Sequence, residues 1–232
     1  MPSVAADRET RLLEHGFVRL DGAMASDLSV VNSARVSFAK RKEAMDDSDA
    51  GLIRFLMRDR HGTPFEHNAF RFHVRCPLFV AREWFRHRIS SFNEESARYH
   101  ELEGDFYVPA AEDVRSQVGK PGAYTFEPVD PEAAERLRAD LTDFYERTYG
   151  LYRELIERGV AKELARSVLP MGTFTQFFWT VNARSLMNFL SLRNAETAQY
   201  EIRCYAQAIE PFFAELMPVT YEAFVANQRA AP

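Results

Sequence analysis

The sequence predicts an α+β fold, a mixed sheet flanked by helices in a single domain, residues 1–232, that includes one long helix. Three observations lead there. Residues 70–76 alternate strictly, with Phe70, Phe72, Val74 and Cys76 on one face and Arg71, His73 and Arg75 on the other, the period of a strand with one side buried. After Asp130 and Pro131, the positions Leu137, Leu141, Phe144, Thr148, Leu151 and Leu155 recur at spacings of four and three until Gly159, one stripe of a long amphipathic helix and a packing face for this chain or a second subunit. Strand and helix signals follow one another without the regular βαβ alternation of a doubly wound sheet.

Residues 1–12 are polar and expected to be loose, and a short strand follows at 16–20. Asp27 is placed to cap a helix carrying Leu28, Val30, Val31 and Ala34, which runs into ARVSF, where Arg35 and Ser37 read as structural groups. Residues 40–49 are charged and read as an exposed loop, before Leu52, Ile53, Leu56 and Met57 share a helical face. Gly62 and Pro64 break that helix and leave His61, Thr63, Glu66 and His67 in a turn, either a ligand loop or a decorated helix end. Pro77 opens a helix over 78–88 on which Arg82 and Arg86 share a side. Residues 110–130 carry a weak pattern and read as a surface excursion. Beyond the long helix, a shorter one over 161–169 carries Arg166, and 174–181, rich in aromatic and β-branched residues, is a strand. Asn182 caps a helix whose Leu186, Phe189 and Leu190 face the core, while Arg184 and Asn188, one turn apart, share another side. A helix over 197–209 turns Ile202, Tyr205 and Ile209 inward, and Pro218 separates it from a short terminal helix at 221–225.

Composition bounds the function. With 232 residues and 46% hydrophobic content the chain can build one substantial core, and a net charge of −5 disfavours nucleic acid as a partner, since phosphate-backbone binding needs a broadly basic face. The two cysteines, Cys76 and Cys204, lie far apart in apolar settings and read as reduced, buried thiols of a cytoplasmic protein. No apolar run approaches the roughly 18 residues of a membrane span, and the MPSVAADRETR start lacks a signal peptide's apolar region.

The polar residues concentrate in RHRISSFNEESARY, Arg86 to Tyr99. Arginine forks suit phosphate and carboxylate, so one reading is a site for an anionic ligand. The other is a solvated helix end, where cations are favoured by the helix dipole. Histidines 61, 67, 73 and 87 have no metal-ligand spacing and no HExxH or CxxC accompanies them, so no metal is expected. Neither GxGxxG nor GxxxxGK[ST] occurs, which excludes Rossmann and P-loop sites, and without GxSxG the case for Ser96 as an acyl-transfer nucleophile is weak.

RHRISSFNEESARY resembles the signature of the flavin-dependent thymidylate synthases, in which Arg86, His87 and Arg88 are followed by seven residues and Ser96. The resemblance extends through ARVSF, HGTPFEH, ARSVLP and FWTVNARSLMNFLSLR. It implies a homotetramer that converts dUMP to dTMP, with 5,10-methylenetetrahydrofolate as carbon donor, NADPH-reduced FAD as hydride source, tetrahydrofolate as the second product and no cysteine nucleophile. Carried over by position, FAD is contacted by Thr63, Arg86, His87, Arg88, Glu94, Asn182, Ala183, Arg184 and Asn188, with His61 beside them. The dUMP side is implied to use Arg86, Ser96, Ala97, Arg98, Arg166 and Arg193, drawn from more than one subunit, with Arg193 as the catalytic residue that favours the N3-ionised pyrimidine. Glu83, at a further dUMP position, departs from the family pattern, which carries Gln; a carboxylate beside a phosphate is repulsive unless it is neutralised or aimed at a donor.

Two rival readings keep the arginines. A non-catalytic nucleotide-binding module, or a flavoprotein reductase with another acceptor, needs no folate. An RNA-binding protein is disfavoured by the acidic balance and by apolar residues where stacking platforms are expected.

Overall fold

The computed structural model describes residues 9–120 and 122–232. Its main sheet is antiparallel, in the order β1-β2-β3-β7-β4, from β1 (Glu9–Leu12), β2 (Gly16–Met24), β3 (Ala69–Pro77), β4 (Ser91–Glu94) and β7 (Phe174–Asn182). The fold is α+β, as expected. β1 corrects the expectation of loose chain over 1–12. Residues 1–8 lie outside the described residues, but Leu13 and Glu14 both adopt positive φ and turn Glu9–Leu12 back onto β2.

The alternation in β3 holds: Phe70, Phe72, Val74 and Cys76 are fully buried. On β7 the same face carries Phe177, Trp179 and Val181, in register with β3 through pairs such as Phe72 with Trp179 and Val74 with Phe177. Helices α4 (Leu78–Trp84), α7 (Ala183–Arg193) and α8 (Tyr200–Leu216) contribute to the core on this face. Trp84 joins them, edge-on to Phe177 and Trp179 and stacked on Phe189 at a centroid distance of 4.9 Å. The opposite face is a polar network in which Arg19 donates to His73 at 2.6 Å and Arg75 to Asp105 at 2.6 Å.

Several helices differ from the sequence expectation for reasons of long-range pairing. Ser26, not Asp27, caps α1 (Asp27–Arg35), its hydroxyl accepting from the Ser29 N–H. Asp27 is buried and accepts from the N–H groups of Val219 and Thr220 and from the Thr220 hydroxyl, so it caps α9 (Pro218–Ala226). Within the charged 40–49 segment, Asp49 is fully buried in α2 (Asp47–Arg58) and accepts from Lys42 at 2.6 Å and Arg35 at 2.7 Å. α4 ends at Trp84, short of 88, so Arg86 does not continue the side on which Arg82 sits. A short α3 (Thr63–Glu66) follows the break at Gly62.

Residues 110–130 hold an exposed hairpin of β5 (Arg115–Lys120) and β6 (Ala123–Pro128). The long helix, α5 (Pro131–Glu157), starts at Pro131 as expected, with Asp130 capping it, but the buried residues there are Ala134, Tyr145 and Tyr152, whereas Leu137, Phe144 and Leu151 are 42%, 46% and 44% exposed. α6 (Lys162–Ala165) is shorter than expected and passes into a 3-10 turn at Arg166–Val168. α8 continues beyond 209 through Pro211, and Pro218 starts the last helix instead of merely preceding it. Among the described residues no helix is long and apolar enough to cross a membrane.

Candidate active site

The turn after α4 and the solvent side of α7 enclose a cavity of about 670 Å³. Arg86, His87 and Arg88 form one wall, and Arg184, Asn188 and Arg193 the other. Local chemistry explains α7's orientation. The Asn182 carboxamide accepts from the Ser185 N–H at 2.8 Å and fixes the helix start, while Leu186, Phe189 and Leu190 are fully buried, turning Arg184 and Asn188 outward. Ala183 is buried, its N–H donating to the Asn68 carbonyl at 2.8 Å.

Arg184 is held in place from two directions, its Nε donating to the Pro232 carbonyl and its Nη1 to Glu66, both at 2.6 Å. It also lies against the backbone of Gly62, where an added Cβ would fall 2.5 Å from the Arg184 Nε. This contact brings the turn carrying His61 and Thr63 alongside α7, although both side chains are exposed and neither lines the cavity. At the other end of α7, Arg193 is 15% exposed and donates through Nη1 to Glu83 and through Nε to His87 Nε2 at 2.9 Å. His87 must therefore be neutral. Burial first, then the positive charges of Arg193 and Arg86, push its pKa down to about 4.

A second cavity, of about 130 Å³, shares no wall residue with the first. Glu94, Ala97 and Arg166 line it, with Glu94 accepting from the Thr175 hydroxyl at 2.7 Å. Close by, Glu163 draws two arginines together, pairing with Arg98 at 3.5 Å and accepting from Arg166 through its carbonyl at 3.4 Å. Ser96 Oγ accepts from the Arg98 N–H at 3.4 Å. The sequence-predicted residues thus divide within one chain: Arg86, His87, Arg88, Arg184, Asn188 and Arg193 meet at the first cavity, and Glu94, Ala97 and Arg166 at the second. Glu83 stands behind the first wall on Arg193.

In size and charge the first cavity fits an anionic cofactor such as a flavin nucleotide, since four arginine side chains converge on a space within the usual range of small-molecule sites. Among the described residues no group of three or more His, Cys, Asp or Glu is arranged to hold a metal ion.

A family model described as "Thymidylate synthase complementing protein" matches residues 19–219. A flavin-dependent thymidylate synthase of Thermosipho africanus is 49% identical over 218 residues, covering 94% of each chain. The chain belongs to the flavin-dependent thymidylate synthase family. Another relative of that name, from Streptomyces coelicolor, is 42% identical and covers 98% of each chain. Two solved structures of PolB, a UMP/dUMP methylase from Streptomyces cacaoi, superpose with TM-scores of 0.87 and 0.88 at 44% and 45% identity. They cover 94% of this chain and 96% and 97% of theirs, and hold 5-Br UMP and 5-Br dUMP respectively.

As a flavin-dependent thymidylate synthase family member, the chain is an enzyme and a flavoprotein. Its geometry adds residues that sequence reasoning did not assign to the site. Glu66, in the turn read as either a ligand loop or a decorated helix end, lines the cavity, and Ala231 and Pro232 of the cavity wall carry no signal in the sequence because they arrive from the far end of the chain. Glu95 lines the second cavity and accepts from the Gln176 N–H and side-chain amide.

Proposed function

We propose that the protein reductively methylates dUMP to dTMP, taking carbon from 5,10-methylenetetrahydrofolate and releasing tetrahydrofolate. The observation that carries this reading is the convergence of Arg86 to Arg88 with Arg184, Asn188 and Arg193 on one cavity, in a member of this family. Arg86, Arg88, Arg184 and Asn188 hold FAD, with His61, Thr63, His87, Asn182 and Ala183 shaping its surroundings and Glu94, at the second cavity, reaching it from a neighbouring subunit. When bound and reduced by NADPH, FAD supplies the hydride.

The dUMP phosphate is taken by arginine forks from Arg98 and Arg166, with Ser96 and Ala97 orienting the nucleotide. Arg193 and Arg86 attend the pyrimidine, and Arg193 favours the form ionised at N3. Because Glu94, Ala97 and Arg166 line a different cavity from Arg193, one chain supplies two half-sites, and a homotetramer completes each site from neighbouring subunits. No covalent enzyme nucleophile takes part. Three facts support this: Cys76 is fully buried, with its thiol pushed well up by that burial; Cys204 is half-buried, with its thiol raised by burial too, and lines neither cavity; and among the described residues Ser96 Oγ meets the Arg98 N–H and no basic side chain.

The test is anaerobic incubation of the flavin-loaded protein with NADPH, dUMP and methylenetetrahydrofolate. Formation of dTMP is expected; its absence from folded, flavin-loaded protein removes the reading. The naming of PolB as a UMP/dUMP methylase favours a second reading in which UMP is also accepted, and UMP in the same assay, with methylated UMP as product, decides it.

A further inference from the structure

Arg193 faces its cavity with part of its guanidinium already claimed. Nη1 donates to the Glu83 carboxylate, Nε donates to neutral His87 at 2.9 Å, and Nη2 lies 3.5 Å from the Glu83 carbonyl. Glu83 is 21% exposed, and its second oxygen, Oε2, is buried without a hydrogen-bond donor among the described residues. The surrounding charges do not duplicate Glu83. Arg86 and Arg88 on the adjacent turn are cations, Glu66 is taken up by Arg184, and Glu210, behind the end of α7, by Arg229 at 2.7 Å. Glu83 is therefore the carboxylate that opposes Arg193 directly.

We infer that Glu83 is a positioning residue for Arg193 and tempers the field that this guanidinium exerts on a bound pyrimidine. A guanidinium in contact with a carboxylate presents a dipole in place of a net charge, and a dipole's field decays faster with distance. N3 of the pyrimidine loses its proton to solvent less readily beside the pair than beside a free guanidinium, because less positive potential stabilises the resulting anion. Glu83 thus acts through Arg193. It sets how Arg193 lies and how much charge it shows.

The inference rests on the synthase reading of this site. It is tested with 5-fluoro-dUMP, whose fluorine NMR shift reports N3 ionisation, bound to the FAD-loaded enzyme across neutral to alkaline pH. Glu83→Gln keeps an acceptor for Arg193 but removes the charge, and Glu83→Met removes both. In either variant the midpoint of ionisation is expected to move to lower pH, by about one unit for Glu83→Gln, a tenfold gain in N3 acidity. An unchanged or raised midpoint in the variants overturns the inference. Failure of the unaltered enzyme to bind 5-fluoro-dUMP overturns the synthase reading instead.

Discussion

Arg193 depends on a neighbour that stays uncharged. His87 accepts its Nε–H at 2.9 Å, and burial, reinforced by Arg193 and Arg86, brings the imidazole down to about 4 from an ordinary 6.5. The unfolded chain takes up this proton near 6.5 and the folded chain only near 4, so stability is full above that window and declines as pH falls through it, by up to about 1.4 kcal/mol per unit. Because burial lowers His73 in the same direction, a site-resolved NMR titration is the suitable measurement. His87 is expected to remain neutral at pH 6; a midpoint at its ordinary value contradicts the contact. Arg193→Ala is expected to lower turnover by about 100-fold or more at saturating dUMP, the scale of losing a donor aimed at developing charge. Full activity would remove its role. At this scale the sequence named the side chains that meet at the first cavity but not how they pair. The Glu83 contact joins residues 110 positions apart.

Elements governed by local rules were legible and those governed by distant partners were not. The alternation of β3 and the Asn182 cap of α7 can be read because period and capping act within a few residues. The short β1, the exposed hairpin and the destination of Asp27 cannot, since each depends on where another segment comes to lie. Asp27→Ala removes three hydrogen bonds at the start of α9 and is expected to cost roughly 1–3 kcal/mol in urea unfolding, against about 1 kcal/mol or less for Ser26→Ala at the exposed α1 cap. Equal effects would contradict the assignment. Gly62 has an ordinary φ of −71°, so Gly62→Ala carries no backbone penalty, but the new methyl would meet the Arg184 guanidinium at 2.5 Å. Fluorescence titration is expected to show flavin binding weakened about tenfold, close to 1.4 kcal/mol, with little change in the unfolding midpoint. Unaltered flavin affinity would show that Arg184 yields at no cost.

At the scale of the whole molecule, the division of the predicted residues between two separate cavities is the central observation, and it is what the proposed sharing of sites between subunits requires. Leu137, Phe144 and Leu151 leave an apolar stripe exposed along α5, and Tyr124 and Phe126 do the same on the hairpin, surfaces of the kind that another subunit covers. Sedimentation is expected to give a tetramer, and Phe144→Glu to shift it toward smaller species if that stripe is buried in the assembly. The most direct test of shared sites mixes two inactive variants, Arg184→Ala at the first cavity and Arg166→Ala at the second, dissociates them and lets them reassemble. If each site draws one half from each of two chains, random reassembly restores unimpaired sites, and dTMP formation should return to about a quarter of the native rate. If each chain builds its site alone, every site keeps one defect and the mixture stays as inactive as its components.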